Sequence, residues 1–228
     1  MATLTLGVLC SGEGTNLSAI LDACAEGPDG APPALDAKVA IVVCNREGAG
    51  CLARAERAGV PSRVLPHRGY PTREDYDAAL VATLREAGAS MVVLAGFMRL
   101  VTPVFLDAFP DRVLNLHPAL LPSFPGTDGI AQALAYGSAV TGCTVHLVDA
   151  GVDTGPIVAQ AVVPVLDDDT EETLHARVRT WEHRTLVEAL RWFAEGRVRV
   201  LHGEPGQRGR VRVRVRVEGR SRAFFGAP

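Results

Sequence analysis

The sequence contains little that would indicate a metal centre or a disulfide framework. Its five cysteines include no CxxC pair, and its six histidines show neither HxH nor HExxH spacing. Zinc sites commonly use these spacings, and a chain of 228 residues is too long to need disulfides for its stability. We therefore expect reduced, mostly buried thiols and no bound metal.

A strong charge of one sign and a long apolar run are also missing. The formal net charge of -3 gives the chain no general attraction to nucleic acid or to an anionic membrane surface. No apolar run reaches the roughly 20 residues that cross a bilayer, and no basic segment precedes the first apolar run at residue 4. We expect a cytoplasmic protein without a nucleic-acid or membrane partner, in which any anionic ligand is held by a local site.

Short apolar runs alternate with amphipathic stretches, a pattern that is typical of βαβ units. We therefore expect an α/β fold with a Rossmann-like, mostly parallel twisted sheet and helices on both faces. Two later runs, 143–148 and 156–165, are separated only by an acidic, glycine-rich turn and predict an antiparallel strand pair toward the C-terminal side. The other predicted strands are 4–10, 39–45, 62–66, 90–96 and 112–117, and the predicted helices lie near 16–25, 50–58 and 73–87.

A long helix is predicted after DDDTEE, where Asp169 and Glu172 have the spacing of a capping box. Glu182 lies inside the apolar arc of this helix. A carboxylate that faces the interior needs a partner, so a structural ion pair or cap and a ligand contact both stay open. The apolar arc consists of Leu174, Val178, Trp181, Leu186, Ala189 and Phe193.

The sequence changes character at residue 197, where valine and arginine begin to alternate. We expect a domain over residues 1–196 and, over 197–228, a two-stranded ribbon with one apolar face or a tail that orders on another surface. Seven arginines follow residue 203. Nucleic-acid binding is disfavoured there because no aromatic side chains are interleaved with the charges.

The segment CSGEGTNLSAI, residues 10–20, joins the first predicted strand to a helix that begins at about Thr15 to Leu17. Gly12 and Gly14 lie in the turn, where free N–H groups and the positive helix end favour an anion. Leu17 stands where a dinucleotide fingerprint needs its third glycine, and no Walker A lysine follows. We expect a phosphate-binding loop, with a tight turn that holds no ligand as the alternative.

The segment RVLNLHPALLPSFPG, residues 112–126, places Asn115 and His117 on the same face of a strand. Asp149 and Asp153 lie in the later turn DAGVDTGP, from which a carboxylate can orient the imidazole and favour its charged form. An amide, an imidazole and a carboxylate suit acyl transfer. A structural histidine is the commoner alternative. A serine hydrolase is a weak one, because no serine lies in a nucleophile elbow.

Two further segments carry candidate binding residues. Met98 and Leu100 follow a strand end and would edge a flat apolar pocket, although core packing is the more common role of such side chains. Arg73 lies at a helix start, where a cation is unfavourable. It is expected either to pair with Glu74 or Asp77 or to reach an anionic ligand.

The motifs SGEGTNL, AGFMRL, NLHPALLPSFPG, TGCTVHLVDAGVDTGP and TWEH follow one another over residues 4 to about 196. In this order they resemble the phosphoribosylglycinamide formyltransferases of the formyltransferase family. Several long motifs in register are more specific than any single motif.

The resemblance implies formyl transfer from 10-formyltetrahydrofolate to the amine of glycinamide ribonucleotide in purine (IMP) biosynthesis. Both substrates are small molecules, no metal takes part, and the protein would be a monomer or homodimer. The resemblance also implies that Asn115, His117 and Asp153 are catalytic, with His117 as the general acid. Gly14, Thr15, Asn16 and Glu182 would bind the ribonucleotide. The folate residues would be Arg73, Met98, Arg99, Leu100, Val101, Asn115, Asp149, Ala150, Gly151, Val152 and Asp153.

Three alternatives share part of this pattern. Formyltetrahydrofolate hydrolase uses water as the acceptor but usually has an additional N-terminal domain. Methionyl-tRNA formyltransferase adds a C-terminal tRNA-binding domain larger than the 32 residues that follow Gly196. A noncatalytic nucleotide-binding module would not need Asn115, His117 and Asp153 together. Asp128 and Ile130 depart from the family pattern, in which histidines often occupy these positions, so a substrate contact from that loop is in doubt.

Overall fold

The computed structural model describes residues 3–27, 30–202, 214–219 and 223–225. The chain divides into two compact units, residues 1–115 and 116–228.

The first unit is built on parallel strands. Strand β1 is Leu4–Cys10, β2 is Ala37–Cys44, β3 is Ser62–Val64, β4 is Met91–Leu94 and β5 is Val113–His117, whose last two residues belong to the second unit. The order is β5-β4-β1-β2-β3. Strand β4 is buried at every position, as expected for a parallel strand that is covered on both faces.

Helices connect these strands. Helix α1 is Thr15–Cys24, α2 is Gly50–Arg57, α3 is Arg73–Glu86 and α4 is Pro103–Ala108, and a short 3-10 helix covers His67–Gly69. Thr72 is the N-cap of helix α3, and its hydroxyl accepts a hydrogen bond from the Asp75 N–H. Helix α4 begins with Pro103, at a position where no N–H donor is needed.

The second unit continues from β5 with helix α5, Gly129–Tyr136, strand β6, Val140–Leu147, strand β7, Ile157–Pro164, and helix α6, Glu171–Ala194. Strand β6 pairs antiparallel with β7. Strand β10, Ala223–Phe225, pairs parallel with β7, which gives the order β5-β6-β7-β10. Strands β8, Val198–Leu201, and β9, Arg214–Val217, form a separate antiparallel pair.

The predicted α/β fold is confirmed, including its mostly parallel sheet and the antiparallel pair toward the C-terminal side. Each predicted strand and helix overlaps an observed one. Helices α4 and α5, of six and eight residues, were not predicted. Six residues are too few to establish a helical period in α4. No helix in the described ranges is both long and apolar enough to cross a membrane.

The predicted capping box of α6 is wrong in its residues. Thr170 is the N-cap and accepts from the Thr173 N–H at 3.2 Å. Asp169 is engaged elsewhere: Arg177 donates to both of its oxygens at 2.7 and 2.8 Å, and the Leu166 N–H donates at 2.8 Å. The pKa of the Asp169 carboxyl therefore lies far below its usual range, chiefly because of the Arg177 hydrogen bonds.

The apolar arc of α6 is buried as predicted except at Trp181, which is half-buried and carries the Arg184 guanidinium 5.2 Å from its ring centroid. Glu182 is buried. All five cysteines are free thiols, and all but Cys24 are buried.

The C-terminal valine–arginine segment has the alternating pattern of a ribbon where the structure describes it. Val215 and Val217 are buried, whereas Arg214 and Arg216 are exposed. Residues 203–213, 220–222 and 226–228 lie outside the described residues, so most of the expected arginine-rich tail does too. The division into a domain of residues 1–196 and a tail of 197–228 stays a prediction.

Candidate active site

The turn between β1 and α1 has the geometry of an anion-binding loop. Gly14 is the N-cap of α1 with φ 73° and ψ 35°, the left-handed region that L side chains rarely adopt. A Cβ at this position would lie 2.6 Å from Cβ of Cys51. Only glycine therefore fits here, and Thr15 and Asn16 begin the helix, whose first N–H groups have no intrahelical partner.

Asn16 adds a side-chain group to this loop. Its Oδ1 is buried and has no hydrogen-bond partner among the described residues. A buried amide oxygen without a partner is unfavourable, so a ligand that donates a hydrogen bond there would remove this cost. The loop and Asn16 suit a phosphate that is attached to a hydroxyl-bearing group.

The segment Met98–Val101 follows β4, and neighbouring residues of the first unit hold its backbone. The Met98 N–H donates to Oγ of Ser11 at 2.9 Å, Arg73 donates to the Leu100 carbonyl at 2.9 Å, and the Arg99 guanidinium lies 5.0 Å from the Tyr76 ring centroid.

The apolar side chains of this segment point to solvent. Met98 is 67% exposed and Leu100 is 56% exposed, so the core-packing alternative for these two residues is wrong. The Ser11 hydroxyl is buried and accepts from a backbone N–H, which leaves it poorly suited to be a nucleophile. Arg73 pairs in the described structure with the Leu100 carbonyl, a partner that the sequence did not predict. The segment therefore presents exposed apolar side chains on a backbone held by hydrogen bonds, a surface that suits a flat ligand.

His117 ends β5, two residues after Asn115. The strand period places both side chains on one face. The His117 ring is buried: its Nε2 lies 2.7 Å from the Phe124 carbonyl oxygen, and its Nδ1 lies 3.4 Å from Oδ2 of Asp153. Both nitrogens therefore face acceptors, and only the protonated imidazolium can donate to both.

Asp153 is held in the turn after β6 with φ 51°. Its Oδ2 accepts from the Gly126 N–H at 2.8 Å, and its Oδ1 lies 3.5 Å from Nε2 of His146. Burial raises the pKa of Asp153, but the hydrogen bonds from His146 and Gly126 and the charges of His117 and His146 outweigh it. The pKa of this carboxyl consequently lies below its ordinary value, and the carboxylate stays charged beside His117.

His146 is the residue that sequence reasoning missed. It lies on β6 next to a shift in the β6–β7 register, is buried, and its Nδ1 lies 3.0 Å from the Leu147 carbonyl oxygen. The available signal was a histidine in a strand whose other side chains are apolar or small. Asp153 thus bridges two imidazoles, His117 and His146, one with each oxygen.

Asp149, the other predicted carboxylate of this turn, has a different set of contacts. Its Oδ1 accepts from the Gly151 N–H at 3.1 Å and from the Thr154 hydroxyl at 2.7 Å. These bonds brace the turn 149–153, in which Val152 is 45% exposed. The structure therefore places Asp153, not Asp149, beside His117.

Glu182 lies on α6 near Cys143 of β6 and one turn from Thr185. The Cys143 thiol donates to Oγ1 of Thr185 at 3.7 Å. Burial raises the pKa of the Cys143 thiol to about 12, and the Glu182 charge contributes to the same shift. The Glu182 carboxylate therefore lies on the side of α6 that faces β6, and it is shielded from solvent.

The two positions that depart from the family pattern lie at the start of α5. Asp128 is exposed with φ 60°, and Ile130 is buried. In the described part of the chain, no group of three or more His, Cys, Asp or Glu side chains is arranged to hold a metal.

Comparison with known proteins shows the family of the chain. A model of the formyl transferase family, described as "Formyl transferase", matches residues 5–190. The chain belongs to the formyl transferase family. This stretch contains the turn before α1, the segment Met98–Val101, the His117–Asp153 pair and Glu182.

Individual relatives in the family are similar over most of the chain. A curated phosphoribosylglycinamide formyltransferase from Mycobacterium tuberculosis (strain CDC 1551 / Oshkosh) is 48% identical over 200 residues, which are 88% of this chain and 89% of the relative. The crystal structure of glycinamide ribonucleotide transformylase 1 from Symbiobacterium toebii superposes with a TM-score of 0.85 and 49% identity, covering 94% of each chain.

The family also includes longer proteins. The trifunctional purine biosynthetic protein adenosine-3 of Drosophila pseudoobscura pseudoobscura is 43% identical over 194 residues, which are 85% of this chain. The matched part is 14% of that protein, so the chain spans about a seventh of its length.

Proposed function

We propose that the chain transfers the formyl group of 10-formyltetrahydrofolate to the amine of glycinamide ribonucleotide, a step of purine (IMP) biosynthesis. The observation that carries the proposal is the His117–Asp153 pair at 3.4 Å, at the end of the strand that also holds Asn115. The family match and the relatives named phosphoribosylglycinamide formyltransferase support the same reaction.

In the first step the neutral amine attacks the formyl carbon, and negative charge develops on the formyl oxygen. The Asn115 amide and a protonated His117 are suitable donors to this oxygen. The pKa of Asp153 lies below its ordinary value, so this carboxylate stays charged 3.4 Å from Nδ1 of His117 and orients the ring. Positioned donors of this kind commonly contribute several kcal/mol in acyl transfer.

In the second step the tetrahedral intermediate collapses, and the folate nitrogen leaves after it receives a proton. His117 is the general acid that supplies this proton. For this transfer, Nε2 exchanges its contact with the Phe124 carbonyl for one with the reacting atoms. No covalent enzyme intermediate is needed. The attacking nitrogen loses one proton, the folate nitrogen gains one from His117, and the proton lost by the amine restores the imidazolium.

Two sets of residues bind the ribonucleotide in this proposal. Gly14, Thr15 and Asn16 bind its phosphate, which the geometry of the helix start supports. Glu182 contacts the ribose or the amine, and its position within the stretch that matches the family supports this role.

The folate is bound by an apolar edge whose backbone is held by Arg73. Met98 and Leu100 offer the exposed apolar surface, and Arg73 fixes the backbone of this segment through Leu100. The other members of the set are Arg99, Val101, Asn115, Asp149, Ala150, Gly151, Val152 and Asp153. In this proposal the donor is a co-substrate, and the protein acts as a monomer or homodimer.

An assay of tetrahydrofolate release with and without glycinamide ribonucleotide tests this function. Release that requires the amine is the expected result. Equal release in its absence would indicate a hydrolase, with water as the acceptor. Binding of the ribonucleotide without any release would indicate a noncatalytic nucleotide-binding module.

A further inference from the structure

Two hydrogen bonds join Arg54 of α2 to the chain on either side of Gly14. Its Nε donates to the Glu13 carbonyl oxygen at 2.6 Å, and its Nη1 donates to Oγ of Ser18 at 2.8 Å. A guanidinium presents its donors in a rigid planar fork. Arg54 therefore fixes the turn before α1 relative to the first turn of α1.

A second contact from α2 acts on the same turn. The Cys51 N–H donates to the Gly12 carbonyl oxygen at 3.1 Å. Two consecutive carbonyl groups, those of Gly12 and Glu13, thus point toward α2. Because a trans peptide is planar, each carbonyl and the N–H that follows it point in opposite directions.

The N–H groups of Glu13 and Gly14 consequently point away from α2. Successive N–H groups around a left-handed residue form a concavity that binds anions, and Gly14 supplies that conformation. The first N–H groups of α1 extend the same arrangement. The conformation of the turn thus decides whether these donors converge on one ligand.

We propose that Arg54 is a positioning residue for the phosphate of the ribonucleotide, which holds the loop in its binding conformation through the Glu13 carbonyl and the Ser18 hydroxyl. This role depends on the proposed function only for the identity of the ligand, the ribonucleotide phosphate. It differs from simple attraction between charges, because a lysine would preserve the charge but lack the fork that joins the two acceptors.

Arg57, one turn further along α2, is a matched control. It is exposed, and its Nε donates to the Ala53 carbonyl oxygen within the helix at 3.3 Å. Arg57→Ala removes the same charge from the same helix without a contact to the loop.

The test measures the Kd of ribose 5-phosphate by calorimetry, and the kcat and the KM of each substrate. Losing two charge-assisted hydrogen bonds predicts that Arg54→Ala raises this Kd and the ribonucleotide KM about tenfold to a hundredfold. The kcat and the folate KM should stay within about threefold of wild type. Arg54→Lys should recover only part of the affinity, and Arg57→Ala should bind as wild type.

Wild-type affinity in Arg54→Ala would overturn the proposal, and so would full rescue by Arg54→Lys, which would assign the effect to charge. If Arg54→Ala does not fold, Ser18→Ala carries the test. It removes one acceptor, so unchanged affinity in that variant would also overturn the positioning role. A wild-type protein that binds ribose 5-phosphate but transfers no formyl group would refute the proposed function and leave the Arg54 comparison intact.

Discussion

Nδ1 of His117 lies 3.4 Å from Oδ2 of Asp153, and the two side chains are 4% and 11% exposed. The opposite ring nitrogen of His117 lies against the Phe124 carbonyl. A buried imidazole between two acceptors is suited to carry a proton and deliver it when the carbonyl contact is exchanged for a substrate.

Replacing His117 should remove most of the catalysis. We expect His117→Ala to lower kcat by about a hundredfold or more, since a positioned general acid contributes about 10² to 10⁴. His175→Ala, on the half-buried surface of α6, is the control and should turn over as wild type. Steady-state kinetics with both substrates measures the effect. A His117→Ala enzyme with normal turnover would remove the general-acid role.

His146 should affect catalysis through Asp153. His146→Leu removes the partner of Oδ1, and we expect kcat to fall about tenfold, as for the loss of a hydrogen bond to a charged group. His146→Gln retains a donor that can reach Asp153, so it should stay within about threefold of wild type. If the Leu and Gln variants have equal kcat values, the second imidazole does not act through its hydrogen bond.

The sequence predicted the strands well because each is a short apolar run bounded by turn residues, as in β1. Strand alternation pointed to Asn115 and His117. The family resemblance added Asp153, whereas the residues alone left Asp149 and Asp153 both open. His146 was missed because a histidine among apolar and small strand residues does not by itself identify a partner, and Asp153 lies seven residues away across a turn. Asp169 was misassigned as the cap of α6. Its side chain can either cap the helix or pair with Arg177, and the sequence does not show which of the two it does.

The loop at Gly14 should not tolerate a side chain. In Gly14→Ala the added Cβ would lie 2.6 Å from Cβ of Cys51, so the loop must move and the ribonucleotide KM should rise at least about tenfold. Gly59→Ala is the matched control, because Gly59 has φ 65° and its Cβ would meet open space. It should cost about 1 kcal/mol of stability and leave the KM unchanged. Equal KM values for the two variants would contradict a phosphate-binding role of this loop.

Asp153 should also contribute to the acid stability of the protein. Its pKa is lower in the folded protein, so its contribution is fully present above the ordinary carboxyl pKa of about 3.9 and is lost as the pH falls through the folded value. The difference in unfolding free energy between wild type and Asp153→Asn should therefore be constant above about pH 5 and shrink below about pH 4.

Urea unfolding across pH 3 to 7 measures this difference. Asp107→Asn, which removes an exposed carboxylate from α4, is the control and should not reproduce the change. A difference between wild type and Asp153→Asn that stays the same at every pH would show that the carboxylate is not stabilised in its charged form.

We propose that an amine, and not water, receives the formyl group. The most direct measurement follows a ¹³C-labelled formyl group from 10-formyltetrahydrofolate by mass spectrometry in the presence of glycinamide ribonucleotide. We expect the label on the glycinamide nitrogen, in equal amount to the tetrahydrofolate released, and we expect His117→Ala to slow its appearance. Label that accumulates as free formate, at the same rate with and without the ribonucleotide, would contradict the account.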